Sequence, residues 1–352
     1  MRAMILAAGF GTRLGELGLA LPKPLFPVCN VPLIRWAVSW LVGHEVRDIV
    51  VNLHHRGELI RNELGDGGDL DARITYSQED GEILGTGGGV KKVLDFFGGE
   101  TFVLMNGKIV VDLDLHAAVA HHRATGAQAT MVLKPDPHAA QWGAIGVDPA
   151  GRVRRFLGEP APDGPEHNGP VVDHMFTGIH ILEPDFVRSL PDGSCCIVRA
   201  GYRPGFTAGT PLAGYVHDGY FWDHSTPSRF LQGNLNLVSG RGLGRGRGRA
   251  LFAPGPLCGL HPTAQVHADA HVHETTLIGP AARIAAGAQV GPEAVVGPNA
   301  QVAKGVTVSR AVVCAGARAE ADVHGGVIAP DGQFTPVDLR DDGPRTGPAL
   351  KK

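Results

Sequence analysis

The chain has 352 residues, with 32 basic and 35 acidic side chains, a formal charge of −3, and 43% hydrophobic residues. That length suits about two domains, and the apolar content excludes a disordered, collagenous or coiled-coil chain. The near balance of charge excludes a global field for nucleic acid or an acidic membrane, so neither is an expected partner. Glycine is the anomaly: 50 residues, about 14%, roughly twice ordinary usage.

Met1–Phe10 opens with a short apolar run that enters Gly11-Thr12-Arg13 with no cleavage site. This reads as a buried first strand, not a signal peptide. No apolar stretch reaches the ~18 residues of a membrane span. Five cysteines, an odd number in a long chain, read as reduced thiols and a cytoplasmic location. Short apolar runs at Met4–Ala7, Asp48–Leu53, Arg73–Ser77, Thr101–Met105 and Ala129–Leu133 predict buried strands. Helical patterns at Leu33–Val42, Val90–Phe97 and Leu115–Ala124 lie between them. Alternating strands and helices over 1–239 imply βαβ units and a mostly parallel sheet, with ligands at the carboxyl ends of its strands.

Residues 240–259 form a Gly/Arg-rich linker in which glycine alternates with arginine at first and no apolar period exists. The stretch is short and has no aromatics for stacking bases, so an RNA-binding role is not expected. Over 260–330 a repeat follows. Val266, Val272, Ile278, Ile284, Val290, Val296, Val302 and Val308 stand six residues apart among alanine and glycine. This is the hexapeptide pattern of a left-handed parallel β-helix of about three coils, a domain expected to stack and oligomerise. Val312, Val313, Val323, Val327 and Ile328 continue the period imperfectly. Residues 331–352 are polar and read as a frayed tail.

The chemistry-bearing motifs lie in the first zone. The first strand empties into Leu6-Ala7-Ala8-Gly9-Phe10-Gly11-Thr12-Arg13-Leu14. Its glycines let backbone N–H groups close on a phosphate, and Arg13 adds a charged fork. The spacing is not that of a dinucleotide fingerprint, and no P-loop Gly-Lys-Ser/Thr is present. In Pro22-Lys23-Pro24-Leu25 the flanking prolines stiffen the backbone that carries the Lys23 ammonium.

These segments resemble the sugar-1-phosphate nucleotidyltransferases, whose signature is a Leu-Ala-x-Gly-x-Gly-Thr-Arg-Leu loop followed by Pro-Lys-Pro-Leu. The match continues through Pro27-Val28-Cys29-Asn30-Val31-Pro32-Leu33-Ile34, Gly85-Thr86-Gly87-Gly88-Gly89, Phe176-Thr177-Gly178-Ile179 and Trp222-Asp223-His224-Ser225-Thr226-Pro227, and a hexapeptide tail is usual in several branches. The resemblance implies a Rossmann-like nucleotidyltransferase domain and a reaction of an NTP with a sugar 1-phosphate to give an NDP-sugar and pyrophosphate. It places Leu6, Ala7, Ala8, Gly9, Gly11, Thr12, Arg13, Gln78, Gly85, Thr86, Asn106 and Gly107 around the nucleotide. Gly143, Glu159, Thr177 and Gly178 fall around the sugar phosphate, and Arg13, Lys23, Lys108 and Asp223 at the reacting groups. The Cys29-Asn30 segment and short repeat tail resemble the mannose-1-phosphate guanylyltransferase branch. The Gly-Thr-Gly-Gly-Gly segment resembles branches that use UTP, N-acetylmuramate-1-phosphate uridylyltransferases among them.

Two positions depart from the family. An Asp stands in the family where Lys108 stands here, and with the match to Asp223 it holds the catalytic Mg²⁺. A protonated lysine cannot ligate a cation, so metal binding at Asp223 is in question. At Gly158-Glu159-Pro160 many relatives carry Lys to grip the sugar phosphate, and Glu159 would repel it. Lys108 with Asp223 sums to zero charge, as two Asp with Mg²⁺ do. The chain is therefore either an enzyme in which the Lys108 ammonium takes over part of the ion's role, or a regulatory nucleotide-sugar binder, homo- or hetero-oligomeric through the β-helix. A third reading adds acyl transfer on the β-helix. His261, His267 and His273 share the six-residue register and read as surface histidines, not metal ligands. Asp112 and Asp114 offer a displaced carboxylate, or a strand end and a helix N-cap.

Overall fold

The structure is a computed structural model that describes residues 1–9, 21–162, 169–243 and 253–339, with backbone only at 141–142. The strand Arg2–Leu6 sits at the centre of a ten-stranded sheet, parallel to Asp48–Leu53 on one side and Phe102–Asn106 on the other. Ala3, Met4 and Ile5 are fully buried because helices cover both faces, which explains the unbroken apolar run. Arg73–Gln78 extends the parallel core beyond Asp48–Leu53. The long strand Val172–Leu182 then runs antiparallel to both Phe102–Asn106 and Ala129–Lys134, so the sheet is mixed. Leu212–Val216 pairs parallel with Ala129–Lys134. Ile145–Val147, Val153–Phe156 and Glu159–Pro160 continue from the far end of Val172–Leu182.

The helices Leu33–Gly43 and Leu115–Thr125 lie where the periodicity predicts. The third does not. The helix spans Gly85–Lys92, and Leu94–Phe97 is a separate 3-10 turn. The Gly-Thr-Gly-Gly-Gly segment is thus the helix itself, although glycine is a poor helix former. Packing explains it. A Cβ on Gly88 would lie 2.0 Å from the Gly193 carbonyl oxygen, and one on Gly87 2.6 Å from Cys195 Sγ.

Beyond residue 258 the chain winds as a parallel β-helix. Gly259 pairs with Leu277, Gln265 with Arg283 and His271 with Gln289, each one 18-residue coil apart. Ile278, Ile284, Val290, Val296, Val302 and Val308 point into its core, while Val266 and Val272 in the first coil are half-buried. The later coils shorten, with Ala294 opposite Ala311 and Val308 opposite Val323, so the hexad fades while the winding continues. Residues 331–339 are not frayed: Phe334–Pro336 folds back antiparallel on Gly326–Ile328 and caps the last coil. The Gly/Arg run at 244–250 and the terminus beyond 339 lie outside the described residues.

The β-helix is docked on the first domain. Leu277, Val295, Val312 and Val327 pack with Phe230, Leu231 and Leu235 of the helix Pro227–Val238 and with Phe26, Val28 and Trp36. Among the described residues no helix is long and apolar enough to cross a membrane. His261 and His273 sit at coil corners, where Nδ1 meets the hydroxyls of Thr263 and Thr275 at 2.9 Å.

Candidate active site

The site forms at the carboxyl ends of the central parallel strands. Leu6 ends the first strand, and its carbonyl accepts from Gly107 N–H at 3.0 Å. This ties the Leu6–Gly9 loop to the turn Asn106-Gly107-Lys108. A Cβ on Gly178 would fall 2.1 Å from Asn106 Nδ2, so only glycine lets that amide cross the antiparallel strand. Ala7 N–H donates to Asn52 Oδ1 at 2.7 Å. Asn52 Nδ2 donates to Glu79 Oε1 at 2.7 Å, and Leu84 N–H donates to Glu79 Oε2 at 2.8 Å. The buried pair Asn52 and Glu79 therefore links the first loop to the helix Gly85–Lys92. Sequence reasoning missed both residues. A polar Asn inside the run Asp48–Leu53 was the available signal.

The second half of the site is a two-stranded ribbon. Ile109–Val111 pairs antiparallel with Phe221–Asp223, with Asp223 opposite Ile109. The residue before Ile109 is Lys108, so the register delivers its side chain to Asp223. Lys108 Nζ lies 2.6 Å from Asp223 Oδ2. His224 N–H donates to the Lys108 carbonyl at 3.0 Å and closes the ribbon. Arg229 Nε donates to the Asp223 carbonyl at 2.9 Å, and its guanidinium lies over the Trp222 ring. Burial alone would raise the Asp223 carboxyl. The Lys108 and Arg229 cations outweigh it and hold that carboxyl well below the usual carboxylate range. Burial pushes the His224 ring down to about 3, so it is neutral at physiological pH.

Lys23 enters from the other side. Its side chain is buried, and Nζ donates to the Ser225 carbonyl at 3.4 Å, two residues after Asp223. Lys108 and Arg229 thus converge on the Asp223 carboxylate, and Lys23 reaches the Ser225 carbonyl two residues on, a net positive cluster suited to phosphate. Gly11, Thr12 and Arg13 lie outside the described residues, while Gly9 carries open space at its Cα.

The remaining sequence candidates are more scattered. Thr86 Oγ1 accepts from Ile197 N–H at 3.0 Å, and Gln78 ends its strand exposed. Thr177 Oγ1 donates to the Val132 carbonyl at 2.8 Å, so this hydroxyl serves the sheet. Gly143 follows the short helix Ala139–Trp142 with φ +89°. Glu159 is exposed and paired with Arg203 at 2.6 Å. Asp114 caps the helix Leu115–Thr125 by accepting from Ala117 N–H at 3.0 Å. Asp112 faces His217 Nε2 at 3.0 Å. Among the described residues no group of three or more His, Cys, Asp or Glu side chains could hold a metal. The residues present do not fit the magnesium ion that the family implies, because the Lys108 ammonium stands against the one remaining carboxylate.

Comparison with known proteins identifies the family. The family model described as Nucleotidyl transferase matches residues 2–191. UTP--glucose-1-phosphate uridylyltransferase of Synechocystis is 35% identical over 55% of this chain and 52% of its own length. Mannose-1-phosphate guanylyltransferase of Mycobacterium tuberculosis is 30% identical over 68% and 65%. N-acetylmuramate alpha-1-phosphate uridylyltransferase of Neisseria meningitidis is 32% identical over 66% and 96%. The chain thus spans half to two thirds of the first two relatives and nearly all of the third. The chain belongs to the nucleotidyl transferase family.

Proposed function

We propose that the protein transfers a nucleotidyl group from an NTP of the GTP or UTP class to a sugar 1-phosphate, with an ammonium–carboxylate pair where the family carries a metal. The Lys108–Asp223 contact of 2.6 Å carries this reading. In the reaction a sugar-phosphate oxygen forms a bond to the α-phosphorus while the bond from that phosphorus to the α–β bridging oxygen breaks, and pyrophosphate leaves. The attacking oxygen is already anionic near neutral pH, so no protein base is required. The protein's share is positioning and neutralisation of charge. Lys23 faces the triphosphate from the Pro22-Lys23-Pro24-Leu25 segment and Lys108 from the ribbon side. Asp223 orients the Lys108 ammonium, with Arg229 behind it. The Leu6–Gly9 amides and the helix Gly85–Lys92 border the nucleotide. The relatives act with either UTP or GTP, so both bases stay within the proposal.

A second reading is a regulatory paralogue that binds nucleotide or NDP-sugar without turnover. The Glu159–Arg203 pair favours it, because a carboxylate stands where many relatives present a lysine to the sugar phosphate. A thermal-shift panel of NTPs and NDP-sugars, each with and without Mg²⁺, tests the shared core of both readings. A ligand at 100 times its Kd stabilises by about 2.7 kcal/mol. A shift from a guanine or uracil nucleotide that persists without Mg²⁺ is expected. No shift from any nucleotide contradicts both.

A further inference from the structure

The turn Cys29-Asn30 joins the short strands Pro27–Val28 and Val31–Pro32, directly after the Lys23 segment. Both turn residues have left-handed backbone, Cys29 at φ 48° and Asn30 at φ 63°. Two-residue hairpins of this kind favour Asn-Gly or Asp-Gly, and a Cys at the first position is strained. Such a conformation persists only where its surroundings impose it.

Three separate elements impose it here. Cys29 N–H donates to Asn234 Oδ1 at 2.8 Å. Asn234 is fully buried in the helix Pro227–Val238, and its Nδ2 donates to the Phe230 carbonyl at 3.0 Å. Asn30 Nδ2 reaches across to the β-helix and donates to the Val296 carbonyl at 3.1 Å. Trp36 Nε1 donates to the Val28 carbonyl at 3.1 Å. Phe26, three residues after Lys23, packs edge-on to the Phe230 ring at 5.4 Å. The turn is therefore the point where the Lys23 hairpin, the helix that follows Asp223 and the docked face of the β-helix meet. Both asparagine side chains act on the backbone that carries Lys23.

We propose that Asn30 and Asn234 are positioning residues that hold the Lys23 segment in register with Asp223 and Lys108, and that the β-helix is the buttress for this register. The catalytic consequence rests on the nucleotidyl-transfer reading, whereas the structural claim stands without it. Lys23 and Asp223 lie near opposite ends of the first domain's sequence. Their relative placement depends on packing between distant segments, and a small misplacement of a reacting group costs rate far more than binding.

The test is hydrogen exchange on the full-length chain, followed by steady-state kinetics. Asn30→Gly removes the amide yet keeps a residue at ease at positive φ. Loss of this half-buried hydrogen bond should speed exchange across residues 21–32 roughly fivefold, with Phe102–Asn106 and Ala129–Lys134 unchanged. In the same variant kcat should fall roughly tenfold with KM for the NTP nearly constant. Asn234→Ala should act in the same direction, and if it fails to fold, Asn30→Gly decides alone. Unchanged exchange at 21–32 overturns the proposal, as does faster exchange with unchanged kcat in an active enzyme. A wild-type protein without turnover contradicts the nucleotidyl-transfer reading instead, and the exchange result still decides the register claim.

Discussion

The Lys108 ammonium and the Asp223 carboxylate form a contact of 2.6 Å across an antiparallel ribbon, each side chain about one-fifth exposed. Breaking a largely buried pair from one side leaves an uncompensated charge. Lys108→Met should therefore destabilise the fold by about 3 kcal/mol, whereas Lys108→Met with Asp223→Leu should recover most of that loss. Urea titration of the single and double variants measures this. Equal stability of the single variant and the wild type would show that the pair is solvated.

The helix Gly85–Lys92 lies against residues 193–197 with no room for a side chain at Gly88. Gly88→Ala should push the two apart. The expected cost is about 2 kcal/mol, typical of overpacking, despite the gain in helix propensity. Nucleotide affinity should fall as well, because the same helix is tied through Leu84 and Glu79 to the first loop. Chemical denaturation and nucleotide titration of this variant give both quantities.

Glu159 and Arg203 form an exposed ion pair at 2.6 Å. Exposed pairs contribute little to stability, so Glu159→Lys should change the unfolding free energy by less than about 0.5 kcal/mol. It should lower KM for the sugar 1-phosphate roughly tenfold, the scale of one charge-assisted contact to phosphate. A KM that rises or stays fixed would show that residue 159 lies away from the sugar phosphate.

His180 and His224 are buried, and burial holds both rings down to about 3. In the unfolded chain each would titrate near 6.5. Folded-state values below the unfolded ones mean that their contribution is present above about pH 6.5 and is lost as pH falls toward 3. Each contributes a slope of at most about 1.4 kcal/mol per pH unit in that window. Urea midpoints at a series of pH values from 7.5 to 5 should fall accordingly. His180→Phe should flatten the slope by about one proton, although it leaves the Tyr202 hydroxyl without its 2.9 Å partner.

Much of this architecture was legible in the sequence. The central strands announced themselves because burial on both faces demands unbroken apolar runs, as in Ala3, Met4 and Ile5. The β-helix was legible because Ile278, Ile284 and their successors repeat at a fixed spacing that only a regular coil needs. The glycine helix was not, because its cause lies at Gly193 and Cys195, about a hundred residues away. The capping strand Phe334–Pro336 was hidden by a polar, breaker-rich composition that resembles a loose tail. In the site, the unusual charge at residue 108 could be read directly, while its partnership with Asp223 required the register of the ribbon. Asn52 showed as a polar residue inside an apolar run, but its link to Glu79 and the contacts that Asn30 and Asn234 make depend on tertiary packing.

Turnover of a guanine or uracil NTP with a panel of sugar 1-phosphates, measured with EDTA and with Mg²⁺ for the wild type and for Lys108→Asp, tests the central claim most directly. The account predicts turnover in the wild type that EDTA does not abolish, and turnover in Lys108→Asp that requires Mg²⁺. A wild type that is active only with Mg²⁺, or inactive until aspartate stands at 108, would contradict the role given to the Lys108–Asp223 pair.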